Sequence, residues 1–274
     1  MAQQPNPVQA TVTTFDLVAI EYDRAFTQSP IGKLQRNRVH YFLGNELTGT
    51  SLRILELNCG TGEDAIWLAG QGHNVMATDI SGMMISMAEE KIKRRSLGDR
   101  IQTKQVSFKE LKNVFKPESF DLVFSDFGGL NCIPEDELID LMNVAGSLLK
   151  TEGKFIAVIM GRKCIWEQMY FLWKGKPNKA SRRNKRHSIT ASLGKDAQPT
   201  WYYSPSEIQM IAAKKFKINK LKPVGIAIPP SYINPFFTKK KTLLSFLNNL
   251  ESIFSFSIFS NYADHFYISL RKKN

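Results

Sequence analysis

Ile54-Leu55-Glu56-Leu57-Asn58-Cys59-Gly60-Thr61-Gly62-Glu63-Asp64-Ala65 is the stretch whose reading decides the fold. An apolar run ends in an acidic residue, and a glycine-containing turn leads straight into a helix. That order lets the backbone approach a nucleotide-like ligand closely at the open end of a sheet. A glycine pair alone is a weak signal. Its neighbours sharpen it. A dinucleotide turn holds pyrophosphate at the helix N-terminus, whereas Glu63 and Asp64 in the first helical turn repel phosphate while suiting the helix dipole. A ligand carrying positive charge is compatible. The next strand-like run, from Gly72, ends at Asp79, about twenty residues after the turn, where a carboxylate can accept hydrogen bonds from both ribose hydroxyls of an adenosine. The pattern is adenosine without pyrophosphate.

Outward from this stretch, strand-like and helix-like runs alternate. Strands are expected over 52–57, 74–78, 101–107, 120–125 and 154–160, with helices over 63–69, 82–95 and 134–149 between them. Such alternation implies a mostly parallel sheet covered on both faces. Two amphipathic helices precede it, one carrying Phe15, Val18, Ala19, Tyr22 and Phe26, the other spanning about 31–47. After Met160 the rhythm changes. A helix around 164–173 gives way to a basic loop, 174–187, with seven Lys or Arg residues and no acidic one. Ser204-Pro205-Ser206-Glu207 then reads as a capping box with proline at the first helical position. Strands within 216–228 and over 265–270 close the sheet, separated by an insertion, 229–264, that holds an apolar helix after Lys239-Lys240-Lys241. The expectation is one α/β domain with a seven-stranded, mostly parallel sheet whose last strand is antiparallel. Residues 1–50 form a tail and helical cap, 51–160 the cofactor-binding core, and 161–274 the rest of the sheet with lid insertions at about 174–200 and 229–264.

The chain has 274 residues and a net charge of +12. Residues 1–150 hold 15 Lys+Arg against 19 Asp+Glu, while residues 151–274 hold 22 against 6. The second half therefore suits an anionic partner: nucleic acid, a membrane surface, an acidic carrier, or an anionic substrate. A solvated lysine-rich surface explains the same count. Cys59, Cys132 and Cys164 have neither metal-ligand nor redox-pair spacing, so no metal is expected and a reducing, cytoplasmic setting fits. The first residues lack a basic region followed by an apolar run, so no secretory leader is expected. No run of apolar residues is long enough for a transmembrane helix.

The stretch from Ile54 through Ile80, together with Phe120-Asp121-Leu122-Val123-Phe124-Ser125 and the Gly153-Lys154-Phe155 strand opening, resembles the motif series of class I S-adenosylmethionine-dependent methyltransferases. It is similar in particular to the small-molecule branch related to quinone-biosynthesis and biotin-pathway methyltransferases, whose chains also begin with a helix like Phe15-Asp16 and Tyr22-Asp23. The resemblance implies a Rossmann-like fold and S-adenosylmethionine as cofactor, with S-adenosylhomocysteine as product. It further implies that Glu56, Asn58, Gly60 and Gly62 surround the methionine moiety, with Ser125 nearby at the end of the fourth strand. Asp79 would bind the ribose, with Ile80 and Met84 beside the adenine. The acidic residue common after the third strand is replaced by Ser107-Phe108, leaving the adenine contact to the Ser107 hydroxyl or a backbone group. Asn58 stands where the family usually has glycine, and asparagine tolerates turn conformations.

Methyl transfer is an in-line displacement, so alignment and water exclusion matter more than a base. Candidate bases are His265, His187 and Tyr22. Candidate acceptor contacts are Tyr22, Phe26, Phe127, Asn131, Trp166, Tyr170 and Tyr203. For each, core packing or a solvated surface is the competing explanation. Aromatic residues flanking the basic loop suit an apolar pocket with a charged rim and equally a nucleic-acid surface. The expected function is methylation of a hydrophobic or aromatic small molecule, at oxygen before carbon, by a monomer or homodimer. The alternatives are an RNA or protein methyltransferase docking through the basic half, and a non-catalytic cofactor-binding subunit.

Overall fold

Two helices come first in the computed structural model, which describes residues 13–47, 49, 51–193, 196–237 and 240–273. Helix α1 (Thr14–Tyr22) starts under a capping box of Thr13 and Asp16 and continues through a π-helical turn, Asp23–Thr27. Helix α2 (Pro30–Gly44) starts on Ser29, whose side chain accepts from the Gly32 amide, with proline at the first position. The tail before Thr13 lies outside the described residues.

The alternating run follows: β1 (Arg53–Leu57), α3 (Glu63–Gly70), β2 (Asn74–Asp79), α4 (Gly82–Arg94), β3 (Ile101–Gln105), a single turn α5 (Leu111–Val114), β4 (Phe120–Ser125), α6 (Glu135–Leu148) and β5 (Leu149–Met160). The second half adds α7 (Ile165–Trp173), the short α8 (Pro177–Ala180), a hairpin β6 (Ile189–Leu193) and β7 (Asp196–Thr200), α9 (Pro205–Ala212), β8 (Phe216–Val224), α10 (Asn234–Phe237), α11 (Lys241–Ile253) and β9 (His265–Lys272). The main sheet has seven strands in the order β3-β2-β1-β4-β5-β9-β8. β1 to β5 are mutually parallel, and β9 runs antiparallel between β5 and β8. The expected fold is thus the observed one.

Both faces of the sheet are buried, and the period-2 alternation of the strands sorts them. Leu55, Val123, Phe155 and Ala157 face a core shared with α6 and α9, while Ile54, Leu122, Phe124 and Ile156 face one shared with α2, α3 and α4. The free edge at β8 carries Lys217, Lys220, Lys222 and Pro223, which discourage pairing with another strand.

One expectation changes in the second half. The basic stretch 174–187 is not a free loop. Arg182 and Arg183 both bond the Glu167 carboxylate on α7, and Arg183 also reaches Asp264 at 2.9 Å. Sequence periodicity sees the basic run and misses the two buried carboxylates that hold it. The hairpin β6–β7 lies within the insertion expected at about 174–200, and α1 packs beside it. The 229–264 insertion is fixed by one side chain. The Glu251 carboxylate of α11 accepts from four successive amides, Gly225 to Ile228, at 2.7, 3.3, 2.7 and 2.9 Å. Arg38 on α2 completes the attachment by donating to the Glu251 carbonyl and the Ser252 hydroxyl. No helix among the described residues is long and apolar enough to cross a membrane.

Truncating Glu251 leaves four amides without their acceptor, so Glu251→Ala is expected to lower unfolding stability by about 3 kcal/mol. Urea denaturation measures this; a loss below about 1 kcal/mol would show that α11 is held by its apolar contacts instead.

Candidate functional site

The carboxyl ends of β1, β2 and β4 open into a cavity of about 530 Å³, within the range of small-molecule pockets, about 300–1,000 Å³. Its floor is the turn after β1. Asn58, Gly60 and Gly62 all have positive φ, at 44°, 52° and 81°, a region open to glycine and tolerated by asparagine. Gly62 has a second reason: a Cβ there would lie 2.9 Å from the Ala88 Cβ on α4. Asn58 holds the turn to β4, its amide donating to the Asp126 carbonyl at 2.7 Å and its oxygen accepting from Ser125 at 2.6 Å. Asp79 grips the same turn, accepting from the Gly60 amide and, with its other oxygen, from Ser81, both at 2.9 Å. Burial raises the Asp79 carboxyl despite those two bonds.

Over this floor lies α1, clasped by the two acidic residues that the sequence places seven apart. Asp16 accepts from the Ser81 hydroxyl at 2.6 Å and the Met83 amide at 3.0 Å. Burial opposes its charge, but these bonds and those from Thr13 prevail and hold it at about 2. Asp23 accepts from the Thr61 hydroxyl at 2.6 Å and pairs with Lys91 at 2.5 Å. Thr13, Thr14, Phe15 and Tyr22 consequently line the cavity, and Gln198 and Thr200 of β7 complete the wall.

The electrostatics of the cavity are one-sided. Asp64 is paired by Arg36 at 3.4 Å and His40 at 2.7 Å. Although burial opposes it, Arg36 and His40 keep the Asp64 carboxyl below its usual range. Asp126 accepts from the Phe127 amide at 2.9 Å, and burial together with the neighbouring Asp64 charge pushes its carboxyl well above the usual range. Glu56, 1% exposed just beneath the lining, is raised by burial and then by Asp64 and Asp126. Glu56 Oε2 and Asp126 Oδ2 have no protein partner. Against these carboxyls stands one guanidinium, Arg36, lying over the rings of Phe26 and Phe127 with its Nη1 unpartnered. Buried acceptors in excess, one free cationic donor and an acidic strand end fit a zwitterionic ligand with an added positive charge and a ribose.

Of the sequence-named residues, Tyr22, Asn58, Gly60, Asp79, Ile80, Met84, Phe108 and Phe127 line the cavity. Glu56, Gly62 and Ser125 support its floor from behind. Ser107 is a correction: its amide and hydroxyl both donate to Glu110, at 3.0 and 2.6 Å, so the hydroxyl is already engaged. Four expected acceptor contacts are structural instead. Asn131 is fully buried and ties Met160 to Trp201 through three bonds, while the Tyr203 hydroxyl donates to the Ile133 carbonyl at 2.7 Å. Trp166 donates to the Ile226 carbonyl, and Tyr170 packs on Phe171 and Tyr232. Phe26 stands one layer back, against Tyr22 and Phe127. His265 sits behind Phe127, its ring 5.3 Å away and its Nδ1 3.2 Å from Asp264, and His187 is exposed outside the cavity. Burial, reinforced by Asp126 and Asp64 against Arg36, pushes the Tyr22 phenol up to about 12, which makes it a poor base near neutrality. Arg36 went unnamed by the sequence reading. Its signal is positional: in α2 it falls among buried Gly32, Gln35 and Val39, a place for an apolar residue. Among the described residues no group of three or more His, Cys, Asp or Glu could hold a metal.

Residues 54–153 match the methyltransferase domain family. With the strand order and the turn after β1, the match makes this segment similar to class I S-adenosylmethionine-dependent methyltransferase domains. A demethylmenaquinone methyltransferase from Clavibacter sepedonicus is 32% identical over 158 residues, 57% of this chain and 59% of that one. Another, from Lactiplantibacillus plantarum, is 30% identical over 117 residues, 42% of this chain and 48% of that one. The chain thus spans about half the length of the curated relatives it matches. In fold, the CcbJ methyltransferase from Streptomyces caelestis superposes with a TM-score of 0.64 at 17% identity, over 96% of this chain and 99% of that one.

Because Glu56 and Asp126 are raised from the usual 4.5 and 3.8, the folded chain binds protons that the unfolded chain has lost. Their stabilising contribution is present below those usual values and fades as pH rises through the folded ones. Asp126→Asn cannot ionise and keeps a donor toward Asp64. It is expected to melt above the wild type at pH 8, with a smaller gain at pH 5; equal melting temperatures at both pH values would show that Asp126 carries no raised pKa.

Proposed function

We propose that this chain is a cytoplasmic S-adenosylmethionine-dependent methyltransferase acting on a hydrophobic or aromatic small molecule, with oxygen the first-choice acceptor atom. The observation that carries the reading is the buried set Glu56, Asp64, Asp79 and Asp126 facing the single cation Arg36. When bound, S-adenosylmethionine supplies a methyl group activated by a sulfonium. Arg36 would hold its carboxylate, and Asp79, whose oxygens have lone pairs left after the Gly60 and Ser81 bonds, would accept from the ribose. Ile80, Met84, Val106 and Phe108 offer an apolar slot for the adenine. Glu56 and Asp126 would balance the positive charge, releasing protons as it enters. Tyr22 and Phe127 would exclude water from the transfer end.

The names of the demethylmenaquinone methyltransferase relatives favour a quinone-like acceptor, and so does the apolar lining toward Ile133 and Met160. Among the described residues the lining has no histidine, and burial pushes Cys132 up to about 12. The cavity therefore suits an acceptor that attacks already ionised or needs no base. Cytoplasmic residence is supported by the three free cysteines.

Calorimetry with S-adenosylmethionine tests the cofactor reading. Asp79→Ala is expected to weaken binding at least tenfold, since each charge-assisted bond is worth roughly 1.5–3 kcal/mol; unchanged affinity would sink the ribose assignment. Because Glu56 and Asp126 are raised, the apparent enthalpy should also differ between phosphate and Tris buffers at any pH where binding releases their protons, and the difference should shrink in Asp126→Asn. Transfer of labelled methyl from the cofactor into an extracted quinone fraction would support the acceptor class, and label appearing in RNA instead would overturn it.

A further inference from the structure

Two helices of the second half carry a surface that the cofactor cavity does not use. Along α7, Ile165, Met169, Leu172 and Trp173 recur at helical spacing and are exposed, Trp173 by 80%. Along α11, Leu243, Phe246 and Ile253 form a second exposed stripe opposite buried Leu244 and Glu251, with Phe246 at 57%. Phe256 and Ile258 continue it beyond the helix, Ile258 at 68%. The inner faces of the same helices reach one small core, to which Trp166 of α7 and Leu244 and Leu247 of α11 contribute around Phe237. The segment 254–262 joins them: the Phe254 and Phe259 rings touch, and the Ile165 amide donates to the Tyr262 carbonyl.

The charge around these stripes has one sign. Residues 161–190 and 229–262 hold twelve Lys or Arg residues, of which Arg162, Arg182 and Arg183 pair with Glu207, Glu167 and Asp264, and two acidic ones, Glu167 and Glu251. Each of those two is 1% exposed and engaged internally, by Arg182 and Arg183 or by the amides of 225–228. No carboxylate side chain of these segments therefore faces outward. Several of the cations lie over exposed rings: Lys174 is 5.2 Å from the Trp173 centroid, Lys240 3.4 Å from Phe236 and Lys163 5.8 Å from Tyr262. Apolar side chains below and snorkelling cations beside them match the boundary between lipid headgroups and acyl chains. A nucleic-acid surface uses aromatic rings and cations, but gains nothing from Met169, Leu172, Leu243, Ile253 and Ile258.

We infer that the α7–α11 face docks this chain on an anionic phospholipid bilayer, lying in the headgroup layer without crossing it. The inference stands apart from the cofactor reading, because none of its exposed residues lines the cavity. In combination with that reading, it places the enzyme where a lipophilic acceptor dissolves.

Cosedimentation of the full chain with phosphatidylcholine vesicles, alone or with about 30% phosphatidylglycerol, tests it. Binding is expected to the mixed vesicles only, weaker at high salt, with a blue shift of the tryptophan emission that Trp173→Phe removes. Phe246→Ser with Ile258→Ser should weaken binding about tenfold without lowering the melting temperature, both side chains being exposed. Lys240→Glu with Lys241→Glu should weaken it by at least about fivefold. Asp79→Ala should lose the cofactor and keep the vesicles, which separates failure of one reading from failure of the other. Absence of binding to the mixed vesicles, wild-type binding by the apolar double variant, or release from vesicles by competing single-stranded RNA would each overturn the docking face.

Discussion

The turn from Asn58 to Gly62 is the constraint on which the rest of the structure depends. It reverses the chain between β1 and α3 through left-handed conformations at Asn58, Gly60 and Gly62, and three walls of the cavity are fastened to it. Asn58 ties it to β4, Asp79 ties it to β2, and Thr61 receives α1 through Asp23. A Cβ at Gly62 would press α4 away through Ala88. A helix drawn this close to the sheet brings Asp64 to Asp126, and the charge pattern of the cavity follows from that approach.

That pattern is costly without a ligand. Buried carboxyl oxygens without a donor favour the neutral form, which is the direction in which Glu56 and Asp126 are raised. An arrangement built only for stability would fill the space with apolar side chains. Retaining several acids around one arginine is intelligible if a cation regularly occupies the space between them. The same logic separates this turn from a pyrophosphate-binding one, where Glu63 and Asp64 would oppose the ligand.

The sheet was legible because its strands keep a simple periodicity and its turns carry residues with one conformational reason. Asp79 and the glycine turn were legible for the same cause: their chemistry is local to a few consecutive positions. Arg36 was not, since its function depends on α2 crossing behind the turn, and in sequence it is one more basic residue in a helix. Asn131 and Tyr203 misled in the opposite way. Asn131 follows a strand at the ligand end and Tyr203 is one of the aromatics flanking the basic stretch, but their polar groups satisfy the backbone of β5 and its neighbouring loops. The basic stretch after α7 was read only as a loop because Glu167 and Asp264, which bind its arginines, lie 15 and 81 residues from those partners.

The division of charge between the two halves has a structural basis that a count alone does not reveal. In the first half several carboxyls point inward, and their interior placement serves the cavity instead of the surface. In the second half Glu167, Glu251 and Asp264 are also buried, each spent on an arginine or a row of amides. The lysines around α7 and α11 therefore have no exposed carboxylate of their own segments beside them, whereas Lys154, Lys220 and Lys272 on the sheet pair with Glu46 and Glu118. Positive charge on the α7–α11 side is then a consequence of how the insertions are anchored, because the acids that anchor them would otherwise have neutralised it.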